Sequence, residues 1–321
     1  MAVYTKVSHE DARQFLADYA IGEFRELKGI QSGVSNSNFF LTTSLGRFVL
    51  TLYEARTNEK DLPFFIGLMD HLAAQGFACP RPVRNKAGRA LGRLSGRAAV
   101  IVEFLPGTPL NRVTPEECAE AGRGLAALHL GVSGFSMSRP NDLSLEGWEK
   151  LLSACGARAD DVQPGLFKLL RTELDALQWS WPKALPRGVI HADMFPNNVF
   201  FDGTKLCGVI DFYFACEDYF AYDLAICLNA WCFENGASFN VTKARALASG
   251  YTQKRPLSAE EISAIPVLAR GASIRFLLTR LYDWLHPAQD ALLRPLDPLE
   301  YLTRLQFHQM AKNPEAYGLG T

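Results

Sequence analysis

No two cysteines of this 321-residue chain stand in a Cys-x-x-Cys pair; the seven are scattered at 79, 118, 155, 207, 216, 227 and 232. Their odd number and loose spacing exclude a disulfide framework and a zinc ribbon, and read as free thiols in a reducing cytosol, several of them small buried hydrophobes. The six histidines also lack metal-ligand spacing. No apolar run reaches the ~18 residues of a membrane span, and the polar opening MAVYTKVSHEDARQF has no signal-peptide core. Charge of one sign is missing too: 33 basic against 34 acidic residues leave a net charge of −1, which argues against nucleic-acid or acidic-membrane partners. There is no internal repeat and no low-complexity segment.

What is present is an ordinary soluble composition, 48% hydrophobic and 21% charged, long enough for two substantial cores. The pattern predicts a helix over 8–19, then strands over 24–30, 37–43 and 47–53. In the last of these Phe48, Leu50 and Leu52 alternate with Val49, Thr51 and Tyr53. A helix follows with Pro63 in its first turn, and 98–104 reads as a buried strand broken by Pro106-Gly107. Beyond it the pattern is mainly helical, over 115–129, 166–177, 222–233, 259–285 and 299–310.

One segment interrupts the helices. His191-Ala192-Asp193-Met194-Phe195-Pro196-Asn197-Asn198 is followed by a strand (199–201), a turn (202–205), a returning strand (206–210), and then Asp211-Phe212. Pairing Phe201 with Leu206 leaves Asn198 and Asp211 at one open end, where opposed residues lie ~5 Å apart at Cβ. An amide and a carboxylate there suit Mg²⁺, which takes hard oxygen ligands and keeps room for phosphate and water. Asp193 is then free to orient an acceptor hydroxyl and take its proton, with His191 serving the loop by hydrogen bonding. His-x-Asp, four residues, Asn, then Asp-Phe is the spacing of kinase catalytic and metal loops.

On these residues the chain resembles the aminoglycoside and choline kinase-like phosphotransferase family. Within it the chain is most similar to the homoserine kinases of bacterial threonine biosynthesis, through RFVLTLYE (47–54), RGASIRFLLTRLYDW (270–284) and DPLEYLTRLQFH (297–308). The resemblance implies a bilobal, protein kinase-like α+β fold, with a small β-rich nucleotide lobe over 1–105 and a mainly helical catalytic lobe over 106–321. It implies ATP and Mg²⁺ as cofactors, a cytoplasmic enzyme, and a small-molecule alcohol as acceptor; oligomeric state is not legible. Gly29, Ser32, Gly33, Val34, Ser35 and Asn36 would form the loop over the phosphates, where glycine allows close backbone approach and successive N–H groups cradle oxygens. Glu103 and Leu105 fall where the family's hinge pairs with adenine through its backbone.

One expected residue is lacking. Kinases place a Lys on the third strand against the α/β-phosphates, and here Thr51 holds that position. Arg47, Arg56, Lys60 or a larger share for Mg²⁺ are the candidate replacements. For the acceptor, Arg275, Thr279 and Asp283 recur every four residues along one helix face and offer both charges that zwitterionic L-homoserine needs. The resemblance implies transfer to the homoserine hydroxyl, giving O-phospho-L-homoserine. A choline or ethanolamine acceptor would instead use an aromatic cage, for which Trp231, Tyr282, Trp284 and Glu217 are available. From another class, a nucleotide-binding regulator with little catalysis is motivated by the missing lysine.

Overall fold

The computed structural model describes residues 5–30, 36–54, 57–110, 112–287 and 295–320. The chain forms two compact units. The first is Met1–Gly107 with Gly134–Met137 and Cys207–Tyr213, and the second is Thr108–Ser133, Ser138–Leu206 and Phe214–Thr321.

The first unit opens with helix α1 (His9–Leu16), whose Ser8 side chain caps the Asp11 N–H at 3.0 Å. Five antiparallel strands follow: β1 (Phe24–Gly29), β2 (Ser37–Thr43), β3 (Gly46–Leu52), β4 (Leu91–Leu94) and β5 (Arg97–Glu103), in the order β1-β2-β3-β5-β4. Register explains the core. Phe39 lies opposite Leu50 and Leu41 opposite Phe48, while Leu50 and Leu52 face Ile101 and Ala99 on the other side. These residues put one apolar face of the sheet against Leu16 and Tyr19 at the end of α1. Helix α2 (Leu62–Ala74) has Pro63 in its first turn and is apolar nearly all round; seven of its residues are buried.

The second unit contains β6 (Thr108–Pro109), α3 (Pro115–Gly131), α4 (Leu145–Cys155), α5 (Ala159–Val162), α6 (Leu166–Ser180), β7 (Arg187–Ile190) and β8 (Val199–Asp202). Gly203, at φ 59°, turns the chain into β9 (Lys205–Val209), along which it passes to the first unit. It returns through β10 (Cys216–Tyr219), α7 (Phe220–Trp231), β11 (Phe233–Glu234), β12 (Ser238–Phe239), α8 (Val241–Thr252), α9 (Ala259–Leu285) and α10 (Leu299–Met310). The β-rich N-terminal part and helical C-terminal part agree with the expected fold class. Helices α4 and α8 and strands β4 and β10 went unpredicted, because their patterns are short or their faces mixed.

Two packing features of this unit matter below. Helices α3 and α8 touch backbone to backbone: a Cβ at Gly122 would lie 2.0 Å from the Leu247 carbonyl, and one at Gly250 would lie 2.0 Å from that of Ala119. Helix α9, 27 residues long with a mean hydropathy of 1.3 over its most apolar window, is long and apolar enough to cross a membrane. Yet 61% of that window is buried against this unit's own helices, the arrangement of a core helix.

Candidate active site

The segment His191–Asn198 connects β7 to β8. Strand β7 is fixed by β10 (Ile190 opposite Cys216), and β8 by β6 (Phe201 opposite Thr108). Between them Ala192 adopts a left-handed backbone, φ 62°. For a residue with a Cβ that conformation costs about 1–2 kcal/mol, so neighbours must hold it. The Asp223 carboxylate of α7 does so, accepting the His191 N–H at 2.8 Å and the Ala192 N–H at 2.9 Å. On the other side the Ala192 carbonyl accepts from the Arg275 guanidinium of α9.

The side chains of the segment then fall into place. His191 is fully buried, and its Nδ1 accepts the Asp193 N–H at 3.2 Å, a bracing role. Asn198 Nδ2 donates to the Asp193 carbonyl at 2.9 Å and to its Oδ2 at 3.0 Å. Asp193 is half-buried and so held by a neutral donor that does not neutralise it. The Met194 carbonyl accepts the Trp231 indole N–H at 2.8 Å.

Asp223 has its own support. His129 Nε2 lies 3.0 Å from its carboxylate, His129 Nδ1 lies 2.8 Å from the Tyr251 hydroxyl, and that hydroxyl accepts from Arg255, which also pairs with Glu261. Burial drives the imidazole down. Its Nε2 donates to the Asp223 carboxylate, which can only accept. Burial pushes the Asp223 carboxyl up, but the hydrogen bonds and charge of His129 and His191 outweigh that and leave it below its ordinary value. A fixed anion is what two backbone N–H donors require.

Asp211 and the nucleotide-binding candidates lie in the first unit. Asp211 has φ 66°, and burial pushes its carboxyl up to about 6, opposed by the Tyr213 N–H. A buried carboxylate with so little proton-donor compensation suits a cation, and the oxygen-donor chemistry of Asn198 and Asp211 fits Mg²⁺. Among the described residues no cluster of three or more His, Cys, Asp or Glu side chains could hold a metal.

Thr51, at the position of the kinase lysine, is 4% exposed and donates to Asn38 Oδ1 at 2.7 Å. The one acid of α2, Asp70, is paired with Arg84. Neither half of a lysine–glutamate pair is present on these two elements. Of the proposed substitutes, Arg47 lies over the Phe104 ring at 4.1 Å, Lys60 is exposed, and Arg56 is outside the described residues. Of the phosphate-loop set, Ser32, Gly33, Val34 and Ser35 are also outside the described residues. Gly29 ends β1. Asn36 Oδ1 accepts from the Glu54 N–H at 3.2 Å and the Thr57 hydroxyl at 3.1 Å, which anchors the loop's exit. Glu103 closes β5 and its N–H goes to the Arg81 carbonyl at 2.9 Å; Leu105 follows beyond the strand.

Of the acceptor stripe, Arg275 is 1% exposed and engaged with Ala192. The Thr279 hydroxyl turns back to its own helix, to the carbonyls of Arg275 (3.0 Å) and Phe276 (3.2 Å), and Asp283 is half-exposed one turn on. Of the residues that would cage an onium group, Trp231 is buried under the segment, Tyr282 packs on His286, and Glu217 accepts from Ser138. Sequence reasoning missed the Tyr251–Arg255–Glu261 relay and the Trp231–Met194 bond. The Trp231–Met194 partners lie 37 residues apart, and Tyr251, Arg255 and Glu261, though near in sequence, meet across the end of one helix and the start of the next.

The APH phosphotransferase enzyme family matches over residues 26–257, which includes the whole of this segment and Asp223. The chain belongs to that family. It is an ATP-dependent phosphotransferase by that membership and by its relatives. The curated homoserine kinases of Xanthobacter autotrophicus and Parvibaculum lavamentivorans are 56% and 55% identical to it over 319 residues, covering 99% of this chain and of each relative. Solved structures share the kinase-like fold at low identity. An amicoumacin kinase aligns with TM-score 0.73 at 14% identity, over 95% of this chain and 93% of its own. The ethanolamine kinase of Plasmodium vivax aligns with TM-score 0.62 at 17% identity, over 91% of this chain and 84% of its own.

Proposed function

We propose that this phosphotransferase transfers the γ-phosphoryl group of ATP to the side-chain hydroxyl of L-homoserine, giving O-phospho-L-homoserine and ADP, in the cytoplasm. The carrying observation is the extent of the match to homoserine kinases. It runs over 319 residues and so takes in α9 and α10, beyond residue 257 where the broader family match stops.

In this reading the N-terminal part, 1–105, is the nucleotide lobe and 106–321 the catalytic lobe. Gly29 to Asn36 cover the phosphates, and the backbone of Glu103 and Leu105 meets adenine. Asn198 and Asp211 each offer an oxygen to Mg²⁺, which when bound neutralises charge on the transferring phosphoryl group. Asp193 accepts the acceptor's hydroxyl proton as the bond to phosphorus forms. The hydrogen bond from Asn198 Nδ2 to its Oδ2 fixes its rotamer.

The test is ATP- and Mg²⁺-dependent ADP release with L-homoserine, choline and ethanolamine in parallel, beside Asp193→Asn. Activity on L-homoserine that the substitution removes supports the assignment. Activity confined to the amino alcohols would replace the acceptor, and bound ATP without transfer to any of them would favour a regulator.

A further inference from the structure

Helix α9 carries arginines at 270, 275 and 280. The outer two end on carboxylates, Arg270 on Glu173 and Arg280 on Glu300, each at 2.7 Å. Arg275, 1% exposed, has no carboxylate within ion-pair distance among the described residues, and its Nε–H has no acceptor there. Its hydrogen bond goes to the Ala192 carbonyl, and the rings of Phe276 and Phe214 stand 4.6 and 5.4 Å from its guanidinium carbon. Burying a cation on such terms costs several kcal/mol, and an apolar residue of similar volume would pack there without that cost. Stability alone does not account for it.

Its acceptor does. Ala192 is the left-handed residue immediately before Asp193. Its N–H goes to Asp223 of α7 and its carbonyl to Arg275 of α9. A buried acid and a buried base grip the two sides of one strained residue. Release of either would let Ala192 relax toward ordinary φ and would swing Asp193 with it.

We propose that Arg275 is a positioning residue: through the Ala192 carbonyl it fixes the turn that aims Asp193 at the acceptor hydroxyl, and it does not bind the acceptor's carboxylate. This rests on Asp193 as the base. The test compares Arg275→Gln and Arg275→Lys with the parent protein on L-homoserine and on 3-aminopropan-1-ol, which lacks the carboxylate. Amide exchange of the peptide spanning 189–198 is measured in parallel. A misaimed base costs about 100-fold in kcat, so the Gln variant should lose that factor on both alcohols. KM should stay within about threefold, because ground-state binding is untouched. The Lys variant should recover part of the loss. Exchange over 189–198 should quicken by about tenfold while α3 and α8 keep their protection.

A KM for L-homoserine raised by about 100-fold at unchanged kcat, with 3-aminopropan-1-ol unaffected, would overturn the proposal and make Arg275 a substrate clamp. Unchanged kcat and exchange would overturn it as well. Should the parent protein phosphorylate neither alcohol, the acceptor assignment fails separately. Exchange then decides alone: faster supports the brace, unchanged refutes it. Should the Gln variant not fold, the Lys variant is read by the same criteria.

Discussion

Replacing Gly122 by alanine should destabilise this protein, although alanine is the better helix former by ~1 kcal/mol. A Cβ at that position meets the Leu247 carbonyl oxygen at 2.0 Å and the Tyr251 nitrogen at 2.9 Å. Ordinary carbon–oxygen approach is ~3.3–3.6 Å, so α3 and α8 must part by about 1 Å or more. The seam they share is tight: Cys118, Ala121 and Leu125 on one side and Ala244, Leu247, Ala248 and Tyr251 on the other are all 0–2% exposed. A gap of ~0.5–1 Å already forfeits a quarter to a half of each dispersion contact. Overpacking of this kind costs roughly 1–3 kcal/mol, and the obstacle is backbone that no rotamer change can move, so the upper end applies. Net of propensity, the loss is about 2 kcal/mol. Urea unfolding of the parent, Gly122→Ala, Gly250→Ala and the double variant measures it. Because one opening of the seam admits both methyl groups, the double variant should cost less than the sum by about 1 kcal/mol. A Gly122→Ala protein as stable as the parent would refute the backbone contact from which the number is worked.

Asp193→Asn should lower kcat by about 10²–10⁴-fold with little change in nucleotide affinity, as loss of a general base does; steady-state rates and nucleotide titration check both. Asp223→Ala should cost about 3–5 kcal/mol in unfolding free energy, since it strands two buried N–H donors and removes the partner of His129, and activity should fall with it. Acid should weaken the fold through His308. Burial pushes its imidazole down to about 3, with Arg304 and Arg270 adding to the effect. Above pH 6.5 neither folded nor unfolded chain is protonated there. Below it only the unfolded chain takes the proton, so stability falls by up to about 1.4 kcal/mol per pH unit until the folded value is reached. Urea midpoints from pH 7 to 4 should show a shallower slope for His308→Gln; equal slopes would refute this assignment.

The chain's local chemistry was legible where the signal was contiguous. The His-Ala-Asp…Asn and Ile-Asp-Phe spacing marked the segment proposed to carry the chemistry, strand β2 and helices α9 and α10 ended where their periodicity did, and Thr51 on the third strand marked the absent lysine. Those features depend on residues a few positions apart, whose types alone restrict the backbone. Which backbone atoms the segment's supports grip was not legible. The left-handed Ala192 looks like any alanine. Its conformation exists because α7 brings Asp223 to its N–H and α9 brings Arg275 to its carbonyl, partners 31 and 83 residues away. Gly122 and Gly250 likewise seemed only weak points in helices, until packing placed each against the other helix's backbone. Arg275 is the sharpest case. Its spacing along a helix suggests half of a substrate clamp, whereas its burial without a carboxylate, against one particular carbonyl, is what motivates the proposal that it is a support. Sequence specifies which groups can do chemistry; which of them face each other is decided by non-local packing, since that depends on how helices distant in the chain cross.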